Sequence, residues 1–203
     1  MELGRCGRGE PGTVWTMGSL LIVTGPPGAG KSTVAAQLAA SEATSVLVEG
    51  DRFHGFLASG VIPPWLPESN EQNEVVVEAS ALATGRFVRG GYFTLFDGMI
   101  GPWFLPTFVK AALLNGDDIV DYVVLMPTAD QCVEHVRTRI GHRFRDEAAT
   151  RKMHQEFAAA PVESRHVIVP GHSSAADVVT EVQDRRGDGL LSIDRPPSRP
   201  ERA

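Results

Sequence analysis

The chain has 203 residues, of which 42% are hydrophobic, and a formal net charge of −6, which suits one globular domain that buries roughly 70% of its unfolded surface. The acidic balance argues against nucleic acid as a main partner, because binding to a phosphate backbone needs clustered Lys and Arg. The two cysteines, Cys6 and Cys132, lack metal-ligand spacing, and no apolar run reaches the ~20 residues of a membrane span. We therefore expect a cytoplasmic protein with no nucleic-acid or membrane partner.

The two ends of the sequence differ in composition from its middle. Residues 1–17 are Gly-rich and aperiodic, which is typical of a disordered leader or of a start codon placed too early, with Met17 as the alternative initiator. Residues 186–203 mix Pro, Arg, Gly and Asp without a periodic apolar face and predict a disordered tail. We expect one domain between these ends, over residues 18–185.

Short apolar runs alternate with longer amphipathic runs along the middle of the chain. Strands are predicted at residues 20–24, 45–48, 92–96, 122–126 and 166–169, and helices at residues 32–40, 74–88, 129–140 and 175–185. This alternation predicts right-handed βαβ crossovers, and hence a doubly wound α/β fold. Ligands are then expected at the carboxyl ends of the strands.

The stretch GPPGAGKS at residues 25–32 follows the first predicted strand and precedes the first predicted helix. It fits G-x-x-x-x-G-K-S/T, the phosphate-binding loop (Walker A), in which small residues let backbone N–H groups point at an anion beside a helix N-terminus. In this interpretation Lys31 reaches the β- and γ-phosphates and Ser32 is a magnesium ligand. The nucleotide is predicted to contact Gly25, Pro26, Pro27, Gly28, Ala29, Gly30, Lys31, Ser32 and Thr33.

Two further features concern the nucleotide. The small-residue loop at residues 170–174 follows the last predicted strand and is expected to pass the adenine base. The sequence has no Asn-Lys-x-Asp signature for guanine. We therefore expect ATP with magnesium.

A carboxylate, a guanidinium and an imidazole follow the second predicted strand, at Asp51, Arg52 and His54. Because this strand end adjoins the phosphate loop, Asp51 is predicted to accept a proton from an acceptor hydroxyl or to orient a magnesium-bound water. Arg52 and His54 are predicted to hold the acceptor. An ordinary polar turn, with Asp51 bonded to its own backbone, would produce the same pattern.

Two residues on other segments complete the predicted site. Asp97 ends the third strand, as a Walker-B carboxylate that holds magnesium does, although an Asp-Gly turn has the same sequence. Trp65 stands among three prolines, where it could cap an acceptor, stack on a ring or fill an apolar gap.

Four arginines lie within nine residues at the end of the helix predicted at residues 129–140 and just beyond it: Arg137, Arg139, Arg143 and Arg145. With Gly141 as a hinge they predict a cationic lid that stabilises the transferring phosphoryl group, while arginines at a solvated helix end would look the same. His135, on the preceding helix, is expected to have no role beyond packing or solvation.

Two motifs resemble those of small-molecule P-loop kinases, such as gluconate kinase, adenylylsulfate kinase and chloramphenicol phosphotransferase. GDRFH at residues 50–54 is similar to G-D-x-x-H, and RIGHRF at residues 139–144 is similar to the R-x-G-H-x-F that begins the lid. The resemblance implies a catalytic base at Asp51 and a substrate contact at His54. It also implies that Arg139 is catalytic and contacts both the transferring phosphate and the nucleotide. It covers residues 20–185, although the residues after Asp97 depart from the gluconate kinase pattern.

Together these patterns predict a P-loop NTPase fold, a three-layer α/β/α arrangement with a five-stranded, mostly parallel sheet and a lid segment. The predicted activity is ATP-dependent transfer of phosphate to a hydroxyl of a sugar acid, a nucleoside-like metabolite or an antibiotic, by a monomer or homodimer. An ATPase or nucleotide switch without an acceptor is the alternative, and a binding module without turnover is a third.

Overall fold

A five-stranded sheet forms the centre of the computed structural model, which describes residues 18–114, 118–139 and 144–193. All neighbouring strands are parallel and lie in the order β2-β3-β1-β4-β5. The sheet is therefore entirely parallel, where the sequence predicted a mostly parallel one. The strands are β1 Ser19–Thr24, β2 Ser45–Glu49, β3 Phe93–Asp97, β4 Ile119–Leu125 and β5 Val167–Ile168.

The register aligns the carboxyl ends of three neighbouring strands. Val23 of β1 lies beside Asp97 of β3, and Asp97 lies beside Glu49 of β2. The chain segments that leave these strands therefore begin at one edge of the sheet. Because β1 lies between β3 and β4, the loop that follows it emerges at the point where the connections change direction, which is where ligands bind in such sheets.

Seven helices accompany the sheet in the described ranges, and the sequence predicted four of them: α1, α3, α5 and α7. It missed α2 and α4, which have only five and seven residues, and α6. None of the seven is long and apolar enough to cross a membrane. The helices are α1 Lys31–Ala40, α2 Gly50–His54, α3 Asn70–Val88, α4 Leu105–Ala111, α5 Ala129–Thr138, α6 Glu147–Ala159 and α7 Ala175–Gly187.

Side chains on the two faces of the sheet form two separate apolar cores. In β1, Leu20 and Ile22 face one core, whereas Leu21 and Val23 face the other, and all four are fully buried. Helices α3, α4 and α6 contribute to the first core, and α1 and α7 contribute to the second. Burial on both faces explains why the strands are continuous apolar runs. The predicted three-layer α/β/α architecture is confirmed.

The domain continues beyond the boundary predicted after residue 185. Arg186 pairs with Asp121 at 3.1 Å and stacks over the Phe93 ring at 4.1 Å. Leu191 is fully buried, and the backbone N–H of Ile193 donates to the carbonyl of Val120. The predicted tail therefore begins too early, because an apolar residue beyond α7 covers the sheet. The remainder of that tail and the predicted leader, residues 194–203 and 1–17, lie outside the described residues.

Candidate functional site

A cavity of about 850 Å³ lies at the carboxyl ends of the strands. Its volume falls in the upper part of the range of roughly 300–1,000 Å³ that is typical of small-molecule sites. The wall combines the phosphate loop with residues from several other segments, so the fold brings most of the predicted site residues together. The lining comprises residues 27–34, Asp51, Pro64 with Trp65, residues 97–99, Leu125 with Pro127, one side of α5 with Arg139 and Phe144, Met153 of α6, residues 170–173, and Ala175 with Val178 of α7.

Backbone geometry makes glycine necessary in the phosphate loop. Gly28 and Gly30 have φ angles of 79° and 89°, in the left-handed region that favours glycine. A Cβ atom on Gly28 would lie 2.3 Å from the carbonyl oxygen of Cys132 in α5. The loop is therefore packed directly against α5, and any side chain at Gly28 would displace it.

The N-terminus of α1 differs from those of α5 and α7. Those two helices begin with capping boxes, formed by Thr128 with Gln131 and by Ser174 with Asp177. In α1 the N-cap residue is Gly30, no side chain caps the helix, and the first turn holds no acidic residue. Its first N–H groups therefore face the cavity without a side-chain acceptor, as an anion-binding helix start requires.

Lys31 lies at the cavity wall and reaches back over the loop. Its Nζ donates to the carbonyl oxygens of Gly25, at 3.0 Å, and Pro26, at 2.9 Å. Burial lowers the pKa of Lys31, and the neighbouring carboxylates of Asp97 and Asp51 act in the opposite direction. The ammonium group is thus held beside two carboxylates, at a point where it can neutralise phosphate oxygens.

Asp97 and Ser32 form a hydroxyl–carboxylate pair beside Lys31. Asp97 is only 7% exposed, and burial raises its pKa, while the Ser32 hydrogen bond and Lys31 lower it. No group of three His, Cys, Asp or Glu residues in the described ranges could enclose a metal. A single carboxylate with a hydroxyl suits magnesium, which takes its other ligands from water and substrate phosphates.

Hydrogen bonds to the neighbouring strands fix the segment that follows Asp97. The N–H of Gly98 donates to the carbonyl of Val23, and the N–H of Ile100 donates to the buried Thr24 hydroxyl at 3.0 Å. Tyr122 donates its hydroxyl to the Ile100 carbonyl at 2.9 Å, and burial raises the pKa of this phenol and so keeps it a donor. Asp97 and the following Met99 are therefore held in a defined position.

Burial lowers the pKa of the Arg139 guanidinium, and the carboxylate of Asp51, which lines the same cavity, acts in the opposite direction. Arg139 follows the last turn of α5 and donates from Nη2 to the carbonyl of Phe144 at 3.1 Å. Its buried Nε has no hydrogen-bond partner among the described residues. A cation with an unsatisfied donor in the cavity wall can bind an anionic oxygen.

The structure does not bring Arg52 and His54 into the cavity. Arg52 forms an ion pair with Glu49, and its side chain is 76% exposed. His54 is half-buried, and its Nε2 has no partner in the described part of the chain. Arg52 does not line the cavity with Asp51 because α2 begins at Gly50, so successive side chains rotate around a helix instead of leaving a strand together. Its assignment to the acceptor stays a prediction.

The structure tests part of the predicted lid. Arg137 pairs with Glu134 at 2.6 Å, and Arg145 donates to the backbone carbonyls of Arg137 and Arg139. Neither side chain lines the cavity, so Arg139 alone of the described lid arginines reaches it. Arg143 and the predicted hinge Gly141 lie outside the described residues.

Two residues of α5 that the sequence analysis did not assign to the site contact its loops. His135 Nδ1 lies 2.8 Å from the carbonyl oxygen of Gly28. Gln131 Nε2 donates to the carbonyl oxygen of Gly171 at 2.6 Å. Both line the cavity and lie four residues apart, on one face of the helix. The expectation that His135 has no role beyond packing or solvation misses this contact, and the i, i+4 spacing was its only sequence signal.

Comparison with known proteins shows which fold this is. No family model and no curated protein matches the sequence. Among solved structures, a sugar kinase from Janibacter sp. has a TM-score of 0.63 and 15% identity, with 87% of this chain and 99% of that chain covered. The APS kinase of Mycobacterium tuberculosis, solved with AMPPNP and APS, has a TM-score of 0.61 and 16% identity over 84% of this chain and 98% of that one.

A third similar structure belongs to a resistance protein. The tunicamycin resistance protein of Deinococcus radiodurans has a TM-score of 0.60 and 15% identity, with 88% of this chain and 99% of that chain covered. The fold is therefore that of the P-loop small-molecule kinases, which confirms the resemblance found in the sequence motifs. At these identities the similarity shows only a common fold. The substrates of the similar proteins are not thereby substrates of this chain.

Proposed function

We propose that the protein is an ATP-dependent phosphotransferase that transfers the γ-phosphate to a hydroxyl group of a small molecule. The observation that carries this proposal is that Asp51 lines the same cavity as Lys31, Asp97 and Arg139. A carboxylate that shares the cavity with the phosphate loop suits an acceptor hydroxyl. An ATPase or a switch would have no use for the additional volume.

The step assigns a task to each charged side chain. The acceptor oxygen attacks the γ-phosphorus, the bond from that phosphorus to the bridging oxygen of ADP breaks, and the acceptor proton passes to the Asp51 carboxylate. Lys31 and Arg139 stabilise the negative charge that spreads over the phosphoryl oxygens. Phe144 orients Arg139 by accepting its Nη2 hydrogen bond.

Ser32 and Asp97 are the residues that would hold magnesium. The ion, when bound, neutralises charge on the β- and γ-phosphate oxygens. Because burial raises the pKa of Asp97, the hydrogen bond from Ser32 and the charge of Lys31 are needed to favour its ionised form.

The other end of the cavity suits the nucleoside part of ATP. Residues 170–173 line it, and Gln131 of α5 fixes their position through the Gly171 carbonyl. The absence of a guanine signature from the sequence and the AMPPNP bound to the APS kinase neighbour support an adenine nucleotide. A monomeric or homodimeric state, a cytoplasmic location and the absence of nucleic-acid or membrane partners complete the proposal.

ADP release by the purified protein tests the proposal, measured with ATP and magnesium, first alone and then with a panel of hydroxylated small molecules. We expect release that depends on an acceptor, with the phosphate recovered on that acceptor. Turnover that is indifferent to every acceptor would instead support an ATPase or switch. ATP binding without turnover would support a binding module.

A further inference from the structure

The cavity extends beyond the phosphate loop into a region with apolar walls, which we call the acceptor compartment. Its charged groups, Asp51 and Arg139, belong to the reaction assigned above. Its remaining wall is apolar: Trp65 packs edge-to-face on Phe144, with ring centroids 4.9 Å apart, and other hydrophobic side chains complete it. The apolar members of the compartment are Pro64, Trp65, Met99, Phe144 and Met153.

The segment that carries Trp65 is fixed to α3 by side-chain amides. Gln72 exchanges two hydrogen bonds with the backbone of Ile62, at 2.9 and 2.8 Å. Asn73 donates from Nδ2 to the carbonyl oxygen of Pro64 at 2.8 Å. Three contacts to one helix hold the residues before Trp65 in place, so the indole ring is positioned before any acceptor binds. A preformed aromatic wall loses little conformational entropy on binding.

The charges that line the described cavity balance one another. Two carboxylates, Asp51 and Asp97, face two cations, Lys31 and Arg139. The proposed reaction uses both cations for phosphate oxygens. An acceptor with its own carboxylate would therefore lie beside the negative charge of Asp51. Among the described residues, the cavity wall has no further lysine or arginine to pair with that carboxylate.

The nearby cations outside the cavity are also engaged. Arg52 pairs with Glu49, Arg145 donates to backbone carbonyls of the Arg139 segment, and Lys152 donates to the backbone carbonyl of Trp65. None of the three lines the cavity. The described surroundings thus favour an uncharged acceptor, since an unpaired buried charge is costly.

We infer that the acceptor is an uncharged alcohol with a planar apolar ring, which packs against Trp65 while its hydroxyl points at Asp51. This inference rests on the proposed function and narrows it, because it disfavours the sugar acids that the sequence left open. The recognised features are a flat hydrophobic surface, the lack of a negative charge and one reactive hydroxyl group.

Binding by four small probes separates the ring from the charge. The chain has three tryptophans, so replacing Trp15 and Trp103 with Phe leaves Trp65 as the only indole fluorophore. The ADP complex of this variant is titrated with 1-phenylethane-1,2-diol, mandelate, glucose and gluconate, which combine the presence or absence of an aromatic ring with the presence or absence of a carboxylate.

We expect saturable quenching by the phenyl diol at millimolar concentration and at least about tenfold weaker binding of mandelate, glucose and gluconate. Equal or tighter binding of gluconate or mandelate would overturn the inference, as would no binding by any of the four. Since this experiment measures no phosphate transfer, it can succeed even if the proposed reaction fails.

Kinetics of substituted proteins provide the second test. The acceptor used is the one that the parent protein phosphorylates most efficiently. Trp65→Ala is expected to raise the KM for this acceptor about tenfold or more, because the ring of the acceptor loses its contact with the indole. The KM for ATP should stay within about twofold. Trp103→Ala is the matched control, since Trp103 packs on Phe157 and lies outside the cavity.

Gln72→Ala tests the positioning of Trp65 separately. It should raise the acceptor KM several-fold with a smaller change in kcat, because it loosens the segment without removing the ring. If Trp65→Ala and Gln72→Ala both leave the acceptor KM unchanged while phosphate is transferred, the inference is overturned and the proposed kinase activity remains.

Discussion

The two halves of the cavity are built in opposite ways. The phosphate end comes from one continuous stretch, residues 25–33, whose contribution is backbone N–H groups, one lysine and one hydroxyl. The acceptor compartment collects side chains from segments that lie far apart in the chain, such as Asp51, Trp65, Met99 and Phe144. In the proposed function, the continuous half binds the phosphates of the nucleotide and the assembled half selects the acceptor.

The two halves are also held in place differently. The phosphate loop is in contact with α5, where Gly28 leaves no room for a side chain. The Trp65 segment is tied to α3 by the amides of Gln72 and Asn73, at the surface of the domain. Substitutions at the phosphate end should therefore affect turnover with every acceptor. Substitutions in the apolar wall of the compartment should instead change acceptor affinity and leave ATP affinity unchanged.

The largest effect is expected at the phosphate end, from Lys31→Ala. Removing the ammonium group should lower kcat/KM by more than about 10³ for every acceptor, because one preorganised charge at the reacting phosphate has an effect of this order. The measurement is initial-rate kinetics, with Lys110→Ala on α4 as a control that should match the parent. An unchanged rate for Lys31→Ala would overturn the nucleotide site itself.

Arg139 lies between the two halves of the cavity, and its substitution should have the next largest effect on activity. Arg139→Ala is expected to reduce kcat by about 10³, at the lower end of the effect of an arginine that meets the transferring phosphoryl group. Arg139→Lys should recover little of this, since an ammonium cannot reproduce the guanidinium fork. The control is Arg137→Ala, because Arg137 pairs with Glu134 outside the cavity. Equal losses for both variants would refute the assignment.

Asp51→Asn should lower kcat by about 10² or more while ATP still binds, because a general base typically contributes at least this factor. Its neighbour provides the matched control. Arg52→Ala should stay within about twofold of the parent, because its side chain pairs with Glu49 and is exposed to solvent. Transfer by Asp51→Asn within tenfold of the parent would remove the base assignment.

A smaller effect is expected where α5 supports the phosphate loop. His135→Ala removes the 2.8 Å contact with the Gly28 carbonyl and should weaken ATP binding by about two- to tenfold, the range for one hydrogen bond. Calorimetric titration measures this directly. Acceptor KM should not change, and a larger effect on acceptor than on ATP would break the distinction between the two halves.

The smallest effect is expected at His166, which lies outside both halves of the cavity and affects the pH dependence of folding stability. Burial lowers the pKa of His166, whose Nδ1 contacts the Tyr122 carbonyl at 2.9 Å. Below the unperturbed pKa of ~6.5, the folded state therefore binds fewer protons than the unfolded state. The free energy of unfolding thus has its full value above that pH and decreases as the solution is acidified.

Urea midpoints measured from pH 7.5 down to pH 5 check this expectation. His166→Gln should show a weaker decline with falling pH than the parent. Burial raises the pKa values of Asp97 and Asp121, which act in the opposite direction and are present in both proteins. An identical decline in parent and variant would show that His166 does not contribute.

Local patterns made part of this structure predictable. The strand, the glycines and the Lys31-Ser32 pair specify the phosphate end within one short stretch. Asp51 and Asp97 were found because the carboxyl ends of parallel strands meet at one edge. The direction of the Arg52 side chain could not be predicted, because it depends on where the short helix α2 begins.

Other features depend on contacts that no short stretch contains. His135 and Gly28 are 107 residues apart in the chain, and their contact follows from how α5 packs on the loop. Helix α6 did leave a signal, since Asp146 caps its N-terminus and Met153 and Phe157 are buried four residues apart. Of the apolar wall of the acceptor compartment, the sequence analysis assigned Trp65 alone, because the other members converge on it only in the folded chain.

The most direct test of the central claim is to follow γ-labelled phosphate from ATP in the parent protein and in Asp51→Asn, with and without the preferred acceptor. We predict that the parent transfers the label to the acceptor and that Asp51→Asn, although it binds ATP equally well, does so at least about 10² times more slowly. Label that appears only as inorganic phosphate, at the same rate in both proteins, would contradict a kinase with Asp51 as its base.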